Sequence, residues 1–134
     1  MTSARVKPVS PYHRFLIALH SPDANKHLLA ACEYFATERW DCNRTTPIES
    51  DPGEFQIFVI LEGAGAFHDA DHAFPYHAGE AWFLPANLPT TLLQPDGVSS
   101  VLRVTVPDTT VLRRQLRNQG FEDQAISRVV IGAE

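Results

Sequence analysis

The stretch Phe55-Gln56-Ile57-Phe58-Val59-Ile60-Leu61 constrains the fold more than any other part of the chain. Its β-branched and aromatic content, with Pro52-Gly53 before it and Glu62-Gly63-Ala64-Gly65 after it, marks a β-strand. Side chains alternate across a strand, so Phe55, Ile57, Val59 and Leu61 share one face, and Gln56, Phe58 and Ile60 share the other. Both faces are apolar apart from one amide. A sheet with a wet side would alternate, so this strand faces a core on one side and needs a cover on the other. The N-terminal segment, the C-terminal helices, a partner domain or a second copy of the chain can each supply that cover.

The remaining pattern surrounds this strand with others. Residues 14–19 form a short apolar run that suits an edge strand, and residues 1–12, with Pro8 and Pro11, have the content of a tail. Ser21-Pro22-Asp23 carries a helix-start signature, which predicts a loop or helical turn over 21–27, followed by one strand over 29–41. The polar run 43–53 is expected to be a loop. Residues 66–68 and 72–76 form a hairpin through Asp69-Ala70-Asp71. Further strands are predicted over 81–84, 90–94 and 98–106, separated by His77-Ala78-Gly79-Glu80 and Pro95-Asp96-Gly97. Short strands separated by frequent turns indicate a sandwich or barrel. After them the period changes. Asp108 or Thr109 caps a helix that ends before Gly120, and a second short helix runs over 122–128. The division expected is a tail with a possible edge strand over 1–27, a jelly roll over 28–108 and a helical extension over 109–134.

Composition excludes several partners. A chain of 134 residues with a net charge of −5 suits one core and repels phosphate backbones and anionic lipid, so neither nucleic acid nor membrane is expected. No apolar run reaches the roughly 20 residues that span a bilayer. Met1 to Pro11 lacks the apolar segment of a secretory signal. Cys32 and Cys42 match no zinc spacing and are read as reduced structural thiols, so the expected compartment is the cytoplasm.

Three groups of residues carry candidate chemistry. His68, Asp71, His72 and His77 cluster around the hairpin tip, where they can form a surface metal site or simply a solvated loop. Gln56, on the core-facing side of its strand, is either a polar group in a ligand pocket or a buried amide satisfied by its neighbours. Phe58, Phe83 and Thr91 either line that pocket or fill the interior. Arg39, Arg44 and Arg103 can hold a phosphate, or stand as solvated rim charges. No Ser–His–Asp or Cys–His order is legible. Gly63-Ala64-Gly65 is followed by strand pattern, and so lacks the helix a phosphate loop requires.

Two sets of residues resemble the cupin superfamily. In its first motif an H-x-H pair and a Glu precede a Gly, seven residues after the Glu. Gly63 takes the place of that Gly, Gln56 stands where the Glu would be, and the His pair would fall on residues 49–52, where there is none. In the second motif, G-x5-P-x-G-x2-H, Gly79 and Pro85 keep the spacing while Asn87 and Thr90 replace the second Gly and the His. The run Cys32-Glu33-Tyr34-Phe35, Glu38-Arg39-Trp40, Phe55-Gln56-Ile57, Leu61-Glu62-Gly63-Ala64-Gly65, Gly79-Glu80-Ala81-Trp82-Phe83-Leu84-Pro85-Ala86 and Val106-Pro107-Asp108 is similar in order to the C-terminal cupin domain of type I mannose-6-phosphate isomerases. The resemblance covers residues 28–108. It implies an all-β cupin-like jelly-roll barrel with a short C-terminal helical extension.

The resembled family interconverts mannose 6-phosphate and fructose 6-phosphate with zinc. Its zinc ligands and catalytic Arg lie in a preceding domain, and nothing here matches them. The resemblance therefore implies a domain with no cofactor of its own, not catalytic alone. Its expected partners are a catalytic domain of the same protein or a second copy, with a sugar phosphate as the small molecule. The alternative is a stand-alone, metal-free module that binds a small ligand or a protein.

Overall fold

The structure, a computed structural model, describes residues 16–49 and 53–132. The expected tail over 1–12, the start of the first strand and most of the missing His-pair position lie outside the described residues. The chain folds mostly as antiparallel β-strands with two short C-terminal helices.

Two sheets face each other. The larger has the order β1 (Ile17–Leu19), β2 (Ala24–Ala31), β3 (Ala36–Cys42), β10 (Ser99–Thr105), β5 (Gln56–Glu62), β8 (Ala81–Leu84). The smaller has the order β4 (Thr46–Ile48), β9 (Thr91–Pro95), β6 (Ala64–Asp69), β7 (His72–His77). The expected barrel is thus a sandwich of two open sheets, because no described strand pairs across from one to the other. Of the three prolines within strands of the smaller sheet, Pro47 in β4 and Pro75 in β7 lie on edge strands, where a missing N–H is tolerated, and Pro95 stands at the end of β9.

Two elements differ from expectation. The single strand over 29–41 is a hairpin: β2 and β3 pair antiparallel and Cys32 N donates to Phe35 O at 2.8 Å. The turn contains neither Gly nor Pro, and its aromatic tip, with Tyr34 74% exposed, imitates strand composition. In consequence β2 begins at Ala24, inside the stretch expected to be tail and loop. Thr46–Ile48, expected to be loop, is a short strand held by β9.

The Gln56, Phe58, Ile60 face of β5 points inward. Phe58 is wholly buried, with Trp40 and Phe67 edge-on at 5.4 and 5.7 Å between ring centroids. Trp40, Ile60, Phe67, Tyr76, Leu93 and Val101 complete the core between the sheets. Gly63 and Gly65 permit the close approach of neighbouring backbone. A Cβ on Gly65 would lie 2.6 Å from Tyr76 Oη and 2.8 Å from Pro95 Cα. Asn87, at the motif position usually held by Gly, has φ of 64°, a left-handed conformation that Asn adopts more readily than most residues.

The larger sheet is wider than the smaller one, and the helices occupy the difference. α1 (Thr109–Asn118) is capped by Asp108, which accepts from Thr110 N and Val111 N. α2 (Asp123–Val129) follows Gly120. Leu116, Ile126, Val129 and Val130 pack against Ile17, Leu28, Ala31 and Ala36. Leu28 stands opposite Glu38 and Lys26 opposite Trp40, so this is the inner face of β2 and β3. The helices therefore extend the inner layer rather than covering the outer face of β5. On that outer face Ile57 and Val59 are half-buried beside Phe83, Ala81, Leu102 and Val104. None of the described helices is long and apolar enough to cross a membrane.

Candidate functional site

The inner face has a polar cluster where the helical layer meets the smaller sheet. Along β10 the inward positions are Ser99, Val101, Arg103 and Thr105. Arg103 stands between Glu38 of β3 and Phe58 of β5. Each nitrogen of its guanidinium has a partner. Nη1 donates to Glu38 Oε2 at 3.0 Å, Nε to Gln56 Oε1 at 2.5 Å and Nη2 to Glu49 O at 3.2 Å, with Glu54 Oε1 3.8 Å away. Glu38 uses its other oxygen to accept from Trp40 Nε1 at 2.8 Å, and Gln56 Nε2 reaches Glu49 O at 3.4 Å.

Lys26 lies beside this network with its Nζ 3.8 Å from the centre of the Trp40 ring, a cation–π contact. Burial lowers its pKa. Glu38 and Glu49 pull it upward, while Arg103 lowers it further. Above these groups is a cavity with two lobes, of about 450 Å³ and about 220 Å³, which share Leu28, Glu38, Glu49, Arg103, Leu112 and Gln115. α1 supplies the roof, since Leu112 and Gln115 are separated by one helical turn.

The four residues expected to line a ligand pocket do not border this cavity. Gln56 lies beneath it, 3% exposed, and serves to hold Arg103. Phe58 is core. Thr91 is buried in the smaller sheet and donates to Pro89 O at 3.0 Å. Phe83 is on the outer face, 61% exposed and stacked on Phe55, because it pairs with Ile57 rather than with an inward residue.

The histidines are not brought together. Asp69 pairs with His72, and His68 with Ala73, so His68 and His72 point to opposite faces of the hairpin. His77 is at the far end of β7 and contacts Glu80 at 3.5 Å. Among the described residues no group of three or more His, Cys, Asp or Glu could hold a metal ion.

The three arginines also separate. Arg39 is on the outer face with Asp41 at 3.3 Å. Arg44 borders a third hollow near Ser21 and Val98, and Arg103 is inside. Cys32 lies in the β2–β3 turn, and Cys42 is buried at the other end of β3 with its thiol pKa raised by burial.

Sequence reasoning named Arg103 without its role and passed over Lys26, Glu49 and Gln115. The signal was present in the parity: Glu38 shares its face with Trp40, and Arg103 shares its face with Val101. A charge in phase with buried apolar residues must have an internal partner.

A zinc centre does not fit this donor set. The amide of Gln56 occupies the motif position of the ligand carboxylate, and it accepts from a guanidinium that also holds Glu38 and faces Glu54. A divalent cation here would meet that fixed positive charge.

Two facing sheets, the motif turns at Gly63 and Gly79 and an interior polar cluster define a cupin-type jelly-roll module. The chain belongs to the mannose-6-phosphate isomerase cupin-domain family, whose model matches residues 24–104, more than half of its length.

Among solved structures it is similar to the mannose 6-phosphate isomerase of Bacillus subtilis, with 22% identity and a TM-score of 0.59 over 66% of this chain. It spans only 27% of that enzyme's length. It is also similar to the plu4264 protein of Photorhabdus luminescens (14% identity, TM-score 0.58, covering 77% of this chain and 91% of that one). A third is the ectoine synthase of P. lautus (14% identity, TM-score 0.57, covering 67% and 68%). At these identities the likeness is one of fold. A search of curated proteins gave no match.

Proposed function

We propose that this chain is a metal-free cupin module of a mannose-6-phosphate isomerase-like system, with catalysis carried by a domain on another segment or chain. The observation that carries the reading is the Gln56–Arg103–Glu38 network. It places an arginine-held amide where the motif calls for a ligand carboxylate. The outer face of β5 and β8, with Phe55 and Phe83 stacked and exposed, is the surface we assign to the partner, a catalytic domain or a second copy. The cytoplasm is the compartment we assign, from the two unpaired thiols.

The test is isomerisation of mannose 6-phosphate by the purified untagged chain, with metal analysis in parallel. The expected result is no turnover, with or without added zinc, and less than about half an equivalent of bound metal. Turnover abolished by a chelator would overturn the reading.

A second reading is favoured by the cavity under α1, namely a stand-alone module that binds a small ligand. It predicts saturable ligand binding and no isomerase activity whatever domain is added.

A further inference from the structure

We infer that the cavity beneath α1 binds a hydroxyl-rich ligand that carries no phosphate, and that an amino-substituted sugar matches it best. This deepens the reading of the chain as a metal-free module and rests on it only for the claim that the site binds without turnover.

Size and shape come first. The two joined lobes, about 450 Å³ and about 220 Å³, suit a monosaccharide. Leu28, Val111 and Leu112 offer an apolar wall to the C–H face of a sugar ring, while carboxylates and the Gln115 amide face its hydroxyls.

Charge decides between a plain sugar and a phosphorylated one. The carboxylates bordering the lobes are those of Glu38, Glu49, Glu54 and Asp108, against the cations Arg103 and Lys26. Arg103 has one donor on each of its nitrogens committed, to Gln56, Glu38 and the Glu49 carbonyl, so a phosphate here would compete with those three acceptors. Lys26 sits on the Trp40 ring with Glu38 and Glu49 acting on it, and an incoming dianion would face those same carboxylates. His20 stands exposed at the rim of the smaller lobe. Glu38 and Glu54 already face Arg103 and Asp108 caps α1, so an ammonium on the ligand would be met by the Glu49 carboxylate.

The groups left for a ligand are specific. The Glu49 carboxylate and the Gln115 side chain make no hydrogen bond or ion pair among the described residues, and both border both lobes.

The test is an NMR titration of the full chain at about pH 6.5, where the amine is an ammonium and the carboxylates are ionised, with glucosamine, mannose and mannose 6-phosphate. The expected order of affinity is glucosamine, then mannose, then mannose 6-phosphate, with about tenfold between the first and the last. The perturbed resonances should be those of Gln115, Glu49 and the Trp40 indole. Gln115→Ala should weaken both neutral and amino sugars about fivefold. Glu49→Gln should abolish the preference for glucosamine over mannose. Neither side chain supports the fold, and unchanged spectra of the free variants would check this.

Mannose 6-phosphate binding as tightly as mannose would overturn the inference. So would the absence of saturation by any of the three below about 10 mM, or shifts centred elsewhere. Isomerase turnover by the chain would overturn the metal-free reading instead and leave this ranking untouched.

Discussion

Replacing Arg103 with methionine removes the cation from a network in which both partners are mostly shielded. Arg103 is 13% exposed and Glu38 17% exposed, and the two are joined at 3.0 Å. A pair in such surroundings attracts by about 4 kcal/mol at an effective dielectric near 20. The variant also strands the Gln56 and Glu49 oxygens, at roughly 1 kcal/mol each. Against this, the arginine no longer has to be desolvated, and the open cavity admits water to Glu38. The balance is a loss of about 3 kcal/mol, or about 10 °C in Tm for a chain of this length.

A triple variant sharpens the test. Arg103→Met with Glu38→Gln and Gln56→Leu removes the charges together and keeps an acceptor for Trp40 Nε1. It should be more stable than the single variant by at least about 1 kcal/mol, because the Glu38 charge is no longer left without its partner, while Glu54 still loses its contact with Arg103 and Lys26 the pull of Glu38. Urea unfolding of the single and triple variants measures both. A single variant that costs less than about 1 kcal/mol, or a triple as unstable as the single, would refute the argument.

Gly65→Ala should destabilise by more than about 2 kcal/mol, since the new methyl meets Gln94 O and Pro95 Cα, both backbone atoms. Gly79→Ala meets nothing within 4 Å and should cost only about 1 kcal/mol for its φ of 91°, which thermal melts of the two variants will separate. Burial raises the Asp41 pKa, but the Ser100 hydroxyl at 2.6 Å and Arg39 outweigh it and hold the carboxyl below its usual 3.8. Stability from this group is present above the unfolded value and lost as pH falls through the folded one. Wild type should therefore lose more stability than Asp41→Asn between about pH 5 and pH 2, as read from urea midpoints. Arg113 is buried and donates to Val130 O at 3.0 Å and Gly132 O at 3.2 Å, closing the C-terminal end of α2. In Arg113→Met, hydrogen exchange should quicken across α2 and at Ile131 while β5 and β10 keep their protection.

Strand identity was legible wherever local chemistry agreed with the fold. β5, the β6–β7 hairpin and the Asp108-capped helix were all readable from alternation, turn residues and capping. The hairpin of β2 and β3 was not, because its tip carries the aromatic Tyr34 and Phe35, which have strand composition, and no Gly or Pro marks the turn. Arg113 and Arg117 illustrate the same limit. Near one helix end they are alike in sequence, yet one is buried under α2 and the other pairs with Asp123 at 2.6 Å.

The site divides in the same way. From the residues alone came a chain of strands, the face of β5 that would be buried, and the replacement of motif ligands by Gln56 and Thr90, since each depends on spacing of a few residues. Tertiary structure decided that Arg103, Glu38 and Gln56 meet, that Phe83 turns outward, and that a cavity opens under α1. Those facts depend on register and layer order across 47 and 65 residues of chain. Local periodicity cannot encode which strand becomes a neighbour, because that is settled by the packing of the whole core at once.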